Sequence, residues 1–199
     1  MKVGRQRGFD EDTALEAATE VFWANGYSGT SLSDLTSAMG INKPSLYSAF
    51  GNKEQLFRAA IEKYAQKQGA IHLQELYATK KNLKSRIRCY LESIAKMATD
   101  PSLPGGCFLA VGTCEAGGDC LPAEALSTIN KLNEFTKQTL IDFFSSEKSK
   151  SVLNVGASPE VMAGYIMTIQ FGLAVMARNG ATLKELEAVI KHVVSAVNA

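Results

Sequence analysis

The chain has 199 residues, a hydrophobic content of 46% and a formal net charge of +1, so it is long enough to bury the core of one or two domains. It has no uninterrupted apolar run of 18 or more residues, because the most apolar stretch, residues 164–177, is shorter and contains Gln170. The basic N-terminal residues are not followed by the apolar segment of a signal peptide, so we expect a cytoplasmic protein with no membrane partner.

Cysteine and histidine usage favours neither a disulfide framework nor a metal site. The four cysteines are Cys89, Cys107, Cys114 and Cys120. They lack CxxC spacing, and a reducing cytosol would keep them as thiols. His72 and His192 are far apart in the sequence, which disfavours a zinc site. GxGxxG, P-loop and GxSxG motifs are also missing, so we expect no cofactor and no catalytic residues.

The chain begins with a basic arm, residues 1–8, followed by a helix that Asp10 caps and that runs to about Asn25. Residues 1–55 contain five basic and seven acidic side chains, which departs from the usual basic character of a nucleic-acid-binding domain. If this region binds DNA, binding must therefore depend on a few well-placed lysines and arginines.

Residues 30–53 predict two short helices joined by a tight turn. Thr30 or Ser31 can cap the first helix, and Gly40 allows the chain to reverse because glycine adopts a positive φ without steric cost. Asn42 can cap the second helix. This pattern is a helix-turn-helix with an outward face suited to the major groove of DNA.

The outward side chains of this unit and the basic arm are the candidate DNA contacts. Lys43 and Ser45 are expected to meet base edges. Lys53 begins the next helix, where a cation opposes the helix dipole, and a bound phosphate would receive both its ammonium and the free N–H groups. The full predicted set is Arg5, Arg7, Thr30, Ser31, Asn42, Lys43, Pro44, Ser45, Tyr47, Ser48 and Lys53.

The run from Phe9 to Phe57 resembles the N-terminal domain of the TetR (tetracycline repressor) family of bacterial transcription regulators. The matching stretches are AATEVFWANGY and TSLSDLTSAMGINKPSLYSAFGNKEQLF. The resemblance implies an all-α fold, with a three-helix helix-turn-helix DNA-binding domain (residues 1–55) before a helical effector-binding and dimerisation domain (residues 56–199). It also implies that Tyr47 contacts a phosphate or base, and that the helix from Lys53 transmits effector binding to the DNA-binding domain.

The remainder of the chain is helical by pattern. The helix from Lys53 extends to about Tyr77, and Gly69 weakens it by about 1 kcal/mol relative to alanine. Residues 145–151, SSEKSKS, are interpreted as a solvated connection. Further helices are predicted over residues 83–98, 106–116, 123–145, 159–178 and 183–197.

Two apolar seams, one on each of the last two helices, predict a dimer interface. Each seam repeats at spacings of three and four residues, and an intermolecular four-helix bundle would bury both. The alternative is that the two seams bury each other within one chain. The resemblance agrees with the first interpretation, since the last two long helices usually form the dimer interface in that family. The predicted interface residues are Met162, Ile166, Ile169, Leu173, Met176, Leu186, Ile190, Val193 and Val197.

A small apolar or amphipathic effector of unknown identity is expected to bind among the central helices, residues 83–176. It would release DNA by changing the spacing between the two DNA-binding heads of a dimer. The predicted pocket residues are Cys107, Phe108, Val111, Cys114, Phe135, Met167 and Phe171.

The predicted function is that of a homodimeric transcription repressor, not an enzyme, bound to a pseudo-palindromic double-stranded DNA operator. One alternative keeps DNA binding but makes oxidation or alkylation of a cysteine the signal, with Cys107 and Cys120 as the possible redox residues. A second alternative is a small helical enzyme that uses one of these cysteines as nucleophile, although no His–Asp pair lies near either in the sequence.

Overall fold

The computed structural model describes residues 9–78, 81–118, 121–149 and 157–197, and every regular element in these ranges is a helix. The helices are α1 (Glu11–Asn25), α2 (Leu32–Met39), α3 (Lys43–Phe50), α4 (Lys53–Tyr64), α5 (Ala70–Leu76), α6 (Leu83–Ala98), α7 (Phe108–Ala116), α8 (Ala123–Ser149), α9 (Pro159–Arg178) and α10 (Leu183–Ala196). A π-helical turn, Ala65–Gly69, joins α4 to α5. The all-α fold predicted from the sequence is confirmed.

Side-chain caps begin the helices of the N-terminal unit, as predicted. Asp10 accepts a hydrogen bond from the backbone N–H of Thr13 at 2.7 Å at the start of α1. The sequence left two alternatives for the cap of α2, and the structure selects Ser31, whose hydroxyl accepts from the N–H of Asp34 at 3.1 Å. The Asp34 carboxylate accepts in return from the N–H of Ser31 at 2.8 Å. This capping box satisfies two backbone donors that the helix leaves unpaired.

A first hydrophobic core joins the helix-turn-helix to the rest of the chain. Phe57 of α4 contacts Phe22 of α1 edge-to-face at 5.1 Å between ring centroids, and Phe108 of α7 at 5.5 Å. Trp23 packs against Tyr64 in the same way at 5.0 Å. Because α4 and α7 contribute to the same core as α1, the N-terminal unit is packed firmly onto the central helices.

A second core lies between α6, α8, α9 and α10. Its fully buried members include Ile87, Leu140, Ile166 and Ile190, one from each helix. The predicted span of α6 is confirmed.

The end of α8 corrects the interpretation of residues 145–151 as a solvated connection. The helix continues to Ser149, and Glu147 is buried, with 2% of its surface exposed. Its carboxylate forms an ion pair with Arg86 of α6 at 2.5 Å, and the Arg86 guanidinium also donates to the carbonyl of Leu76 at 3.2 Å. A buried partner therefore keeps this polar sequence helical. Residues 150 and 151 lie outside the described residues.

The apolar seams of α9 and α10 mostly face the protein's own core, which corrects the predicted dimer interface. Seven of the nine predicted interface residues are buried within the chain: Met162, Ile166, Leu173, Leu186, Ile190, Val193 and Val197. Ile169 is half-buried and Met176 is exposed. Helix α9 is apolar on more than one face, so its periodicity could not tell which face meets α6 and α8. The apolar side chains left exposed on these two helices are Val161, Tyr165, Val175, Met176 and Val189.

Helix α9 is, within the described ranges, the one helix long and apolar enough by mean hydropathy to cross a membrane. Polar residues interrupt α9, so it contains no uninterrupted apolar run of 18 residues. Core helices meet the same criterion, and one face of α9, with Met162, Ile166 and Leu173, lies in the second core.

Candidate nucleic-acid interface and effector cavity

The turn between α2 and α3 fixes the orientation of α3. Gly40 has φ +65° and ψ +27°, the left-handed conformation that favours glycine. The N–H of Ile41 then donates to the carbonyl of Thr36 at 3.1 Å and closes the end of α2. Leu35 and Leu46 are fully buried beneath the two helices. The helix-turn-helix is therefore held by its own core, and one face of α3 is free to contact a ligand.

The outward face of α3 presents most of the predicted DNA contacts. Lys43, Pro44 and Ser48 are exposed, and the Tyr47 ring is 49% exposed although it is a large aromatic side chain. Ser45 is half-buried. The side-chain oxygen of Asn42 accepts from the N–H of Ser45 at 2.9 Å, and its amide N–H groups can still donate to a ligand.

The structure corrects the predicted set of DNA contacts at Thr30. Its side chain is buried, and its hydroxyl donates to the carbonyl of Gly26 at 2.6 Å. It therefore cannot reach a phosphate without breaking that bond and moving out of the core. Ser31, which is exposed, uses an oxygen lone pair to cap α2 and keeps its hydroxyl hydrogen for another acceptor.

Lys53 is held in place by an aromatic ring. Its ammonium lies 4.2 Å from the centroid of the Tyr27 ring, and the side chain is half-buried at the first position of α4. Burial lowers the pKa of Lys53, and the nearby Glu115 carboxylate opposes that shift. A cation held against a ring beside free helix N–H groups is suited to a phosphate oxygen.

Lys43 is the one basic side chain among the described residues 9–52. Arg5 and Arg7 of the predicted basic arm lie outside the described residues. The positive charge available to DNA in this part of the interface therefore comes from Lys43 and, just beyond residue 52, from Lys53.

The loop between α1 and α2 is anchored by the central helices, a feature that the sequence did not reveal. The carboxylate of Glu115, near the end of α7, accepts from the N–H of Tyr27 at 2.8 Å and from that of Ser28 at 3.0 Å. Arg178 at the end of α9 donates to the carbonyl of Trp23 at 3.1 Å and also to that of Ala24. These hydrogen bonds join side chains to backbone groups that are far away in the chain. A single sequence carries no signal for them.

A cavity of about 460 Å³ lies between the α4–α5 rod, α6, α8 and α9. Its volume falls in the usual range for small-molecule sites. Most of its wall is apolar, and buried polar side chains interrupt it. These buried polar side chains are Tyr64, His72, Tyr90 and Gln170.

Of the predicted pocket residues, the structure brings Cys107 and Phe135 to this cavity. Phe108 instead fills the first core against Phe57. The other four, Val111, Cys114, Met167 and Phe171, do not line the cavity. The prediction relied on α7, whereas the π-helical turn and α5 supply much of the wall. Two polar residues within apolar helices, His72 and Gln170, were the sequence signal that could have indicated the site.

The cysteines have different surroundings. Cys107, just before α7, is buried, and its sulfur accepts a hydrogen bond from the Tyr64 hydroxyl at 3.2 Å. Burial raises the pKa of the Cys107 thiol, which disfavours the reactive thiolate. Cys114, on α7, is exposed. Cys120 lies outside the described residues.

Comparisons with known proteins agree with this geometry. The family model described as "Bacterial regulatory proteins, tetR family" matches residues 14–60. Over 183 residues the chain is 32% identical to the HTH-type transcriptional repressor ComR of Escherichia coli (strain K12). The matched region covers 92% of this chain and 86% of ComR. The chain is 26% identical to the HTH-type transcriptional repressor BdcR of the same strain, with the same shares covered.

A solved structure extends the likeness to almost the whole chain. It is a cysteine mutant of the TetR family transcriptional regulator CifR complexed with 26-bp double-strand operator DNA, with a TM-score of 0.86 and 30% identity. The match covers 98% of this chain and 100% of the CifR chain. From the helix-turn-helix, the shared fold and these relatives, we conclude that the chain belongs to the TetR family of bacterial transcription regulators.

Proposed function

We propose that the protein is a transcription repressor that binds a pseudo-palindromic DNA operator as a homodimer and leaves it when a small molecule fills the central cavity. The observation that carries the proposal is the outward face of α3, where Lys43, Tyr47 and Ser48 are exposed on a firmly packed helix beside Lys53. A short exposed helix of this kind can enter the major groove. The operator complex of the similar CifR chain supports the same role here.

Dimerisation would use the outer face of α9 and α10. Val161, Tyr165, Val175 and Met176 leave a strip of exposed apolar side chains along α9, and Val189 continues it on α10. Gly164 and Gly172 lie on the same helix with open space around their Cα atoms, which would let a second helix approach closely. A two-fold axis through this face would pair α9 and α10 with their copies in a four-helix bundle.

The cavity would control the spacing of the two heads through α4 and α7. Tyr64, at the end of α4, lines the cavity, and the same helix begins at Lys53 beside the DNA face. Leu109 of α7 also lines the cavity, and Glu115 of the same helix binds the α1–α2 loop. A ligand that moves either helix would move the helix-turn-helix with it.

This proposal divides the chain into a DNA-binding unit, residues 1–55, and an effector-binding and dimerisation unit, residues 56–199. It also makes the protein a regulator rather than an enzyme, in line with relatives that are transcription regulators. We favour a reversibly bound effector over a thiol signal, because burial raises the pKa of Cys107. A Cys107→Ser protein should therefore still bind the operator, and peroxide should release the wild-type protein only weakly.

The test is selection of DNA fragments from the source genome by the purified full-length protein, followed by sequencing. We expect a few fragments to be strongly enriched and to share one short sequence with two-fold symmetry. The double variant Lys43→Ala/Tyr47→Ala should enrich none of them while it keeps the helical content of the wild type. Equal enrichment by both proteins, or no enrichment by the wild type, would reject the proposal.

A further inference from the structure

The cavity wall contains no buried charge among the described residues that form it. Glu62 is the one ionisable carboxylate or ammonium group in that lining, and it is exposed. The buried polar groups are the hydroxyls of Tyr64 and Tyr90, the imidazole of His72 and the amide of Gln170. A charged ligand would lose its hydration without gaining a buried counter-ion, which is costly in an apolar site.

The hydrogen bonds around His72 indicate which of its ring nitrogens can receive a ligand. The Ser93 hydroxyl lies 2.7 Å from the carbonyl of Tyr90 and 2.9 Å from His72 Nδ1. We assign its one hydrogen to the carbonyl, so that Ser93 accepts from Nδ1. The proton of a neutral imidazole is then on Nδ1, and Nε2 carries a lone pair. In this tautomer Nε2 lies 3.4 Å from the sulfur of Met97, a thioether with no hydrogen to give.

Burial keeps this imidazole neutral at physiological pH, because it lowers the pKa of His72 to about 4. The ring is 8% exposed. His72 Nε2 is therefore a buried acceptor with no donor among the described residues, in the wall of an apolar cavity.

Gln170 offers the complementary group. Its side-chain oxygen accepts from the Tyr90 hydroxyl at 2.5 Å, and the described residues provide no partner for its amide nitrogen. The side chain is 8% exposed and lines the cavity. An amide nitrogen donates two hydrogens, so this residue presents a donor where His72 presents an acceptor.

We propose that the cavity binds an uncharged, largely apolar molecule that carries a hydroxyl or N–H group for His72 Nε2 and an acceptor atom for the amide of Gln170. The inference rests on the proposed function only in identifying this molecule as the effector; the preference for a neutral ligand follows from the cavity itself. Leaving either buried group unpaired costs free energy, so ligands that lack the hydroxyl or N–H group should be discriminated against.

The first test uses fluorescence of N-phenyl-1-naphthylamine, a neutral dye, bound to the full-length protein without DNA. Three compounds with one shared ring system then compete for the site: 2-naphthylmethanol, 2-naphthoate and 2-naphthylmethylammonium. We expect the alcohol to displace the dye at a concentration at least about tenfold lower than either charged compound, a difference of roughly 1.4 kcal/mol. Equal or better competition by the carboxylate or the ammonium compound overturns the proposal, as does failure of the dye to bind.

Matched variants locate the binding in this cavity. Thr136 and Thr139 are both half-buried on α8, and each hydroxyl bonds to the carbonyl four residues earlier, but only Thr136 lines the cavity. Thr136→Phe should abolish dye binding and Thr139→Phe should not. If both variants bind the dye like the wild type, the site lies elsewhere and the inference fails.

His72→Phe tests the hydrogen-bonding role. The variant should still bind the dye. In the wild type, 2-naphthylmethanol should displace the dye at a lower concentration than 2-methylnaphthalene, and in the variant this difference should disappear. An unchanged difference in the variant, or its absence in the wild type, contradicts the role of His72. All these measurements omit DNA, so a protein that binds an operator but shows no preference for the neutral compound would reject this inference and leave the proposed function standing.

Discussion

At the scale of single residues, Lys53 combines two properties. Its ammonium lies over the Tyr27 ring, and its backbone begins α4, whose first N–H groups have no carbonyl partner within the helix. The ring contact limits the freedom of the side chain before any DNA binds. A phosphate contact made there costs less ordering of the side chain than a contact from a fully solvated lysine.

Replacing Lys53 with Ala should weaken binding to every DNA sequence, because a phosphate contact carries no base information. The slope of log affinity against log salt concentration should become shallower by about 0.9 for each head, the value for one phosphate charge. Fluorescence anisotropy over a salt series measures both quantities. Lys137→Ala on α8 is the control, and a Lys53→Ala protein with the same slope as this control would refute the contact.

His72 should make the stability of the protein sensitive to mild acid. Its pKa is about 4 in the folded protein against 6.5 for a free histidine, so below pH 6.5 the unfolded chain binds a proton that the folded one excludes. Stability is therefore lost as the pH falls from 6.5 towards 4. Between pH 7 and 4.5 the wild type should lose roughly 2–3 kcal/mol more than His72→Phe.

Urea unfolding of both proteins at the two pH values measures this difference. His192→Phe is the control, because His192 is exposed on α10 and should change nothing. Equal losses for wild type and His72→Phe would mean that His72 is not kept neutral by burial.

At the scale of elements, α7 is a short helix with a contact at each end. Its N-terminal end borders the cavity through Cys107 and Leu109, and its C-terminal end holds the backbone of the α1–α2 loop through Glu115. Both contacts lie within one nine-residue helix, so we expect a displacement at the cavity to be carried to the loop.

Glu115→Gln should loosen the loop, since an amide can accept only through its one oxygen whereas the carboxylate accepts from two N–H groups. A hydrogen bond to a charged group contributes about 1.5–3 kcal/mol, which corresponds to at least about a tenfold faster hydrogen exchange when the loop opens locally. Exchange measured by mass spectrometry on the peptide that contains Tyr27 and Ser28 gives the result. Glu134→Gln on α8 should leave that peptide unchanged, and equal protection in both variants would contradict the anchoring role.

Local signals in the sequence were sufficient for the helix-turn-helix and most helix boundaries. Capping side chains, Gly40 and the apolar spacing of α6 each act within a few residues, so one sequence contains them. The end of α8 was missed because Glu147 is stabilised by Arg86, which is far away in the chain. The cavity was mislocated for the same reason, since its wall combines several helices and a π-helical turn with no clear sequence signature.

At the scale of the whole molecule, α9 and α10 present an apolar face that the single chain leaves exposed to solvent. The seam predicted from periodicity is the inner face, so the proposed dimer would use the outer one. Leu173→Glu would therefore place a charge in the protein's own core and is expected to unfold the chain.

Val175→Glu should separate the dimer without unfolding the protomer, because Val175 is 45% exposed in the single chain. Operator affinity should collapse with it, since binding two half-sites needs two linked heads. Light scattering gives the mass and circular dichroism the helical content. Ile71→Glu, a change at an apolar residue on α5 that is 52% exposed, should remain dimeric. A dimeric Val175→Glu protein would show that another surface forms the interface.

The central claim is that α3 reads the operator, and the most direct measurement selects randomised duplexes in parallel with the wild type and with Lys43→Ala. The wild type should yield a motif of two inverted half-sites. Lys43→Ala should keep the half-site spacing and lose base preference at the same position in each half, where one good base contact contributes roughly 1–3 kcal/mol. Identical motifs from both proteins, or no motif from the wild type, would contradict the account.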